Sequence, residues 1–263
     1  MQQALLMRSD LDGVSTLTLN SPSNLNALSE AMIDAITSAL LEISSDKSVR
    51  VLVLQGAGNA FCAGHDLKEM TRGRQAPDGG KAYFKMIFDK CAAMMTAIMQ
   101  QPQPVIAKVH GVAVAAGCQL VASCDMAVSS EAARFGVNGV NIGLFCSTPM
   151  VALTRNIHRK AAFELLTTGD LIPAGRAHEL GLVNKVVPAE DLDSATRELA
   201  RKVAGKLGAA VKIGKLAFYK QAQMPLEQAY KYTGEVMVEN MLYRDTEEGI
   251  SAFLEKRPPS WAK

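Results

Sequence analysis

The sequence lacks the features that mark several large functional classes. Its five cysteines, at positions 62, 91, 118, 124 and 146, include no C-x-x-C pair and form no ligand set with His65, His110, His158 and His178. No metal is expected, and reduced thiols are the default for this pattern. Charge of one sign is also scarce. Against 28 Lys and Arg stand 26 Asp and Glu, a formal net charge of +2, with the basic residues scattered among acidic ones. Nothing builds the basic stripe that follows nucleic-acid phosphates, so no nucleic-acid partner is expected. The nearest approach to a membrane span, residues 105–128, is interrupted by Lys108, His110, Gln119 and Asp125 and is too polar to cross a bilayer. The amino terminus shows no charged-then-apolar leader, which sets a cytoplasmic expectation.

What is present suits a large globular unit. The 263 residues are 48% hydrophobic, enough for a sizeable core. Short strands are expected at Ala4–Arg8 and Val14–Asn20, joined by an Asp12-Gly13 hairpin turn, and at 49–55, 126–129, 133–136 and 182–187. Met32, Ile33, Ile36, Leu40 and Ile43 recur at helical spacing behind Ser29, predicting a helix over 30–44. A second helix is predicted over 83–99, whose methionines are core or a pliable wall for an apolar chain. Residues 71–81 and 137–148 read as loops, with helices near 149–155, 160–167 and 173–180. Strand–helix alternation argues for α/β layering. From Ala189 onward the segments 190–207, 209–222, 226–243 and 246–255 are all helical, with more apolar faces than they can bury alone, which points to a subunit interface. The expected division is a core over 1–190 and a helical region over 191–263.

Two stretches carry the chemistry. Residues 104–125 begin as a buried strand that ends at Gly111, and the small residues Ala115-Ala116-Gly117 then open a helix. Residues 49–68 repeat the design, with a strand, a glycine turn and a helix start after Gly64-His65-Asp66. No bulky side chain guards either junction, so backbone N–H groups without intrahelical partners are left at the positive end of each helix. Two such ends can each donate one N–H to a single oxygen.

The runs Ile106-Ala107-Lys108-Val109-His110-Gly111, Ala115-Ala116-Gly117, Cys124-Asp125 and Phe61-Cys62-Ala63-Gly64-His65-Asp66-Leu67-Lys68 resemble the signatures of the enoyl-CoA hydratase/isomerase, or crotonase, superfamily. The resemblance spans essentially the whole chain. It implies an α/β fold of the ClpP/crotonase-like kind, a spiral of ββα units with a C-terminal helical region, assembled as a homotrimer or a dimer of trimers. It implies an acyl-CoA thioester as substrate with no separate cofactor, and, for eukaryotic relatives, the mitochondrial matrix. By motif, the backbone N–H groups of His65 and Ala116 form the oxyanion hole. Ala63, His65, Asp66, Leu67, Lys68 and Ala116 line the ligand, Lys68 lies near its phosphates, and Phe253 and Lys256 reach its nucleotide end. Each lysine is otherwise a solvated surface charge.

One departure stands out. The family places two catalytic glutamates at positions that match Gln119 and Gly139 here, and neither is acidic. Gln119 can hydrogen-bond water but accepts no proton near neutral pH. Positioned acid–base catalysis is worth roughly 10²- to 10⁴-fold, so two-carboxylate hydration is predicted to be weak or absent. The His65 side chain, Cys118, Cys146, Asn138 and Asn141 are the candidates near the site, with solvent exposure, helix capping, core filling and turn formation as their plainer readings. Three functions stay open. The chain is an enzyme of the enoyl-CoA hydratase lineage with altered chemistry, a decarboxylase or thioesterase relying on the oxyanion site, or a non-catalytic acyl-CoA-binding protein.

Overall fold

The computed structural model describes residues 4–261. The hairpin comes first: β1 (Leu6–Leu11) and β2 (Val14–Leu19) pair antiparallel through Asp12-Gly13, both at positive φ as the tight primed turn requires. α1 (Glu30–Ser45) follows, its N-terminus capped by the Ser29 hydroxyl accepting from Met32 N–H at 3.2 Å. Then come β3 (Val51–Gly56), α2 (Leu67–Gly73), α3 (Lys81–Gln100), β4 (Val105–Val109), β5 (Val112–Val114), α4 (Ala116–Ser123), β6 (Met126–Ser130), β7 (Arg134–Gly136), α5 (Ser147–Asn156), α6 (Arg159–Thr168), β8 (Ile172–Pro173), α7 (Ala174–Glu179) and β9 (Lys185–Val187). The chain closes with α8 (Leu192–Ala204), α9 (Gly208–Gln221), α10 (Leu226–Met241) and α11 (Arg244–Leu254). No helix among the described residues is long and apolar enough to cross a membrane.

The strands form two sheets. Six run in the order β1-β2-β3-β4-β6-β9, parallel from β2 onward, and three short ones run β5-β7-β8. Parallel strands are covered on both faces, so β3 is apolar at every position of its buried half. Leu52 and Leu54 point to the main core under α1, α3 and α4, while Val51 and Val53 join Ile106, Val128, Leu192, Ala195 and Ala200 under α8. α8 therefore shares a core with the sheet, although it lies beyond the expected boundary at 190/191. The ion pair of Lys108 with Asp193 fastens the same contact.

Three elements differ from the sequence reading. The strand expected to run on to Gly111 stops at Val109, because Gly111 at φ +61° turns the chain, and Val112–Val114 begins a second sheet. Residues 71–73 belong to α2 instead of a loop, since Asp66 caps that helix and carries it through to Gly73. Leu182 and Val183 are buried in a turn after Gly181, at φ +87°, so the last strand is only Lys185–Val187.

Candidate active site

A local pairing brings the two glycine-turn segments side by side. The N–H groups of Phe61 and Cys62 both lie 3.1 Å from Val112 O, and Val114 N–H donates to Cys62 O at 3.0 Å, making a parallel bridge between Cys62 and Ala113. From this bridge one strand of chain runs into Gly64-His65 and the other into Ala115-Ala116. Gly64, at φ +91°, is pressed against the second so closely that a Cβ would lie 2.9 Å from Ala115 Cβ and 3.2 Å from Ala116 N. Only glycine tolerates that conformation and that approach together.

The next two residues, His65 and Ala116, line one cavity of about 320 Å³, and neither of their N–H groups meets a protein acceptor among the described residues. Ala115 is held at φ 50°, ψ −120°, its N–H on Gly136 O at 2.9 Å, and its methyl supplies no cap to α4. A strained non-glycine residue of this kind costs on the order of 1–3 kcal/mol and persists where its surroundings impose it. The strain leaves the first turn of α4 uncapped toward the cavity.

The walls are apolar: Leu67, Met70 and Phe88 on one side, Ile142, Leu144 and Phe145 on the other. No Asp, Glu, Lys or Arg is among the lining residues, and the only titratable side chains there are His65 and Cys146. Burial raises the Cys146 thiol and pushes Cys118 up to about 12, so neither is a ready thiolate. Cys146 lines the cavity; Cys118 lies wholly inside the core. Met94 and Met95 are core as well, leaving Met70 as the methionine of the wall.

His65 takes neither of its plainer places. Asp66, not His65, caps α2, accepting from the N–H groups of Lys68 at 2.9 Å and Glu69 at 3.0 Å. Burial acts to raise Asp66, but these bonds and one from Asn24 Nδ2 at 2.8 Å outweigh it and hold the carboxylate below its usual value. It is thereby occupied as a cap. The His65 ring packs edge-on against Phe88, with centroids 5.4 Å apart, and both ring nitrogens are shut off from solvent. Burial lowers its pKa, with the Leu28 backbone opposing in part.

The two positions without glutamates are unlike each other. Gln119, one turn into α4, is buried with Oε1 unpartnered, close behind the strained Ala115 whose carbonyl accepts its N–H at 3.1 Å. Gly139 lines the cavity, but a Cβ there would lie 2.8 Å from Cys146 Sγ and closer still to the Leu144 carbonyl oxygen, whose own N–H closes back onto Gly139 O at 3.0 Å. The loop has closed over the side chain's place. A Gly139→Glu variant is therefore expected to lose roughly 1–3 kcal/mol of stability and to restore no general base, read as a lower melting temperature with unchanged crotonyl-CoA hydration. A well-folded Gly139→Glu protein with increased hydration would contradict this.

Of the remaining expected site residues, Ala63 and Leu67 line the cavity, and Lys68 is exposed beside it. Asn138 and Asn141 line it too, and Asn141 Nδ2 donates to Gly169 O at 3.2 Å, which ties the loop down. Phe253 and Lys256 are not brought to the cavity. Phe253 is 82% exposed and faces a shallow groove with Leu207, Ile250 and Trp261. Sequence reasoning missed the wall formed by Met70 and residues 142–145, and Phe88, which packs against the core, also reaches this cavity. No group of three or more His, Cys, Asp or Glu among the described residues is arranged to hold a metal ion.

A family model described as enoyl-CoA hydratase/isomerase matches residues 10–263. The chain belongs to the enoyl-CoA hydratase/isomerase family. Among members of this family, enoyl-CoA hydratase domain-containing protein 3, mitochondrial, from Xenopus laevis is 47% identical over 249 residues, 95% of this chain and 83% of the relative. The Homo sapiens protein of that name is 45% identical over 252 residues, covering 96% and 82%. An enoyl-CoA hydratase structure from Mycobacterium smegmatis superposes with a TM-score of 0.95 at 51% identity, covering 98% of this chain and 99% of that one. The human domain-containing protein 3 structure gives 0.93 at 43%, covering 98% and 100%. The crotonase fold of this enoyl-CoA hydratase/isomerase family member is thus shared along its full described length.

Proposed function

We propose that this family member binds an acyl-CoA thioester and stabilises its enolate between the backbone N–H groups of His65 and Ala116, without the two-carboxylate addition of water. The observation that carries the reading is the close approach of Gly64 to Ala115 and Ala116, beside an apolar cavity that both His65 and Ala116 line. When charge moves onto the thioester oxygen, two fixed donors stabilise the anion more than the neutral carbonyl. The donors cost no reorganisation at that moment, because the bridge at Cys62–Ala113 and the strained Ala115 already hold them. The apolar walls take the acyl chain.

Water addition needs a further group to accept a proton. Gln119 cannot, and at Gly139 there is no room for one. Hydration of crotonyl-CoA by the usual route is accordingly proposed to run roughly 10²- to 10⁴-fold below a two-glutamate enzyme. A second reading, decarboxylation of a malonyl-type CoA, is favoured by one observation: no cation lines the cavity, so a substrate carboxylate there would be desolvated and unpaired. The assembly expected of the family, a trimer or a dimer of trimers, is proposed to cover the apolar side chains left bare on the last helices, among them Tyr230, Met237, Leu242 and Leu254.

Isothermal calorimetry with free CoA, butyryl-CoA, crotonyl-CoA and malonyl-CoA tests the reading, followed by turnover assays on every binder. The thioesters are expected to bind more tightly than free CoA, with slow or absent hydration of crotonyl-CoA. Rapid hydration by the wild type would overturn the argument from Gln119 and Gly139. Failure of every thioester to bind would overturn the thioester site itself.

A further inference from the structure

We propose that the apolar lip formed by Ile142, Leu144 and Phe145 carries the acyl site out of the cavity, so that this protein selects fatty acyl thioesters whose chains are too long for the cavity to enclose. The proposal rests on the thioester reading above and adds to it the class of acyl chain and the residues that select it.

The lip belongs to the cavity and to the outer surface at once. Ile142, Leu144 and Phe145 line the cavity, yet they are 62%, 44% and 39% exposed, and Leu67 of the facing wall is 52% exposed. The apolar wall therefore does not stop where the enclosure stops. Single exposed apolar side chains need no account, but four that share one cavity make a surface suited to an apolar ligand. The lip is also held in place before any ligand arrives. Gly143 N–H donates to Val140 O at 3.1 Å, Leu144 N–H to Gly139 O at 3.0 Å and Asn141 Nδ2 to Gly169 O at 3.2 Å. A Cβ on Gly143 would meet nothing within 4 Å, so the tip stands clear of the rest of the chain. A surface already fixed in this way loses little freedom when a ligand lies along it.

Size and charge then name the ligand. Counting about 30 Å³ for a water-sized group such as a methylene, a cavity of about 320 Å³ holds roughly ten of them. The thioester group and the end of the pantetheine arm take several of those places, so chain carbons beyond about the sixth lie outside, against the lip. No Asp, Glu, Lys or Arg lines the cavity, so a charged group far along the chain would lose water and gain no partner. The chain is therefore apolar to its end. A second copy of this chain is the rival occupant of the lip. The bound acyl chain is favoured because the lip is continuous with the cavity that holds it, whereas the bare faces assigned to assembly belong to α10 and α11 and share no residue with that cavity.

The test is a series in chain length. Calorimetry is run with butyryl-, hexanoyl-, octanoyl-, decanoyl- and dodecanoyl-CoA, each below the concentration at which it forms micelles. A methylene buried on all sides is worth about fourfold in affinity, and one lying with a single face on the lip about twofold. Affinity is therefore expected to climb steeply to hexanoyl-CoA and then by roughly 60-fold more to dodecanoyl-CoA. Ile142→Ser/Phe145→Ser should flatten the second part of the series to less than about fivefold, whatever it does to hexanoyl-CoA itself. Ile142→Leu/Phe145→Leu, which keeps the lip apolar, should retain the rise. Melting temperature reports whether the serine variant is folded, and Ile142→Ser alone, at the most exposed position, gives a smaller flattening if the double variant is not. Affinity that levels off at hexanoyl-CoA overturns the proposal, as does a rise to dodecanoyl-CoA that survives in a folded serine variant. A changed sedimentation coefficient of the unliganded serine variant also overturns it, by assigning the lip to contact between copies of this chain. Failure of every thioester to bind would instead remove the underlying reading, and this proposal with it.

Discussion

A single methyl group at position 64 is expected to lower thioester turnover by roughly 10²- to 10³-fold, the range seen when one donor of an oxyanion site is lost. The Cβ of Gly64→Ala would lie 2.9 Å from Ala115 Cβ and 3.2 Å from Ala116 N, at the point where the two segments touch. Two separate penalties act there. A left-handed φ costs an alanine about 1–2 kcal/mol. Crowding then drives 63–66 away from 114–116 and spoils the shared aim of the two amides. Gly79 separates these effects, since it too has positive φ, +67°, but a Cβ there meets nothing within 4 Å. Gly79→Ala should show a modest loss of stability and normal turnover, while Gly64→Ala should lose kcat with CoA affinity changed much less. Steady-state kinetics beside calorimetry checks both. Wild-type kcat in Gly64→Ala would mean that the amides of His65 and Ala116 do not act together.

Much of this arrangement was legible in the residue order. The small residues at 115–117 and the glycine at 64 announced two bare helix starts, and the spacing of Met32, Ile33, Ile36, Leu40 and Ile43 placed α1 to within a residue. Local signals of this kind survive folding because they depend on neighbours in the chain. What brings the two starts together was not legible. The strands that lead to the two starts, β3 and β4, are parallel neighbours in the main sheet, but the starts themselves meet beyond the strand ends through an isolated bridge, Cys62 to Ala113. Pairing that short has no periodicity to detect, and Val112–Val114 merged with the strand before it in any reading of apolar runs.

The side chains around the site were less legible still. A histidine beside a glycine in a helix-start motif looks like a cap, and only the neighbouring Asp66 taking that role turns His65 inward. Gly139 read simply as a missing carboxylate, although the loop from Leu144 to Cys146 has filled its space. Loss of the acid at that position and closure of the loop are one structural fact, which is why adding the carboxylate back cannot be a simple reversal. Phe88 follows the core residue Ile87 on α3 but is only partly buried and lines the cavity, a difference that apolar spacing does not show.

The other large effect is expected far from the cavity, at Asp125. In the sequence it belongs to a signature beside Cys124, with no role visible. In the structure its carboxylate is the post to which the helical tail is tied. It accepts from Val105 N–H at 2.6 Å, Lys215 Nζ at 2.7 Å and Tyr219 OH at 2.8 Å, and Lys215 adds bonds to Ile98 O at 3.0 Å and Gln103 O at 3.1 Å. Burial lowers the pKa of this lysine, and Asp125 opposes the change, so the charge survives only as one of a pair. Removing one partner of a buried pair costs about 3–5 kcal/mol, because the other is left charged and dry. Lys215→Met and Asp125→Leu should each shift denaturant midpoints by that order. The double variant should lose less than the sum of the two, since it strands no charge. Hydrogen exchange should show α9 freed first in Lys215→Met, while the sheet under α1 and α3 keeps its protection longer. If the two single losses simply add in the double variant, the pair is not coupled, and α9 is held by its apolar contacts alone.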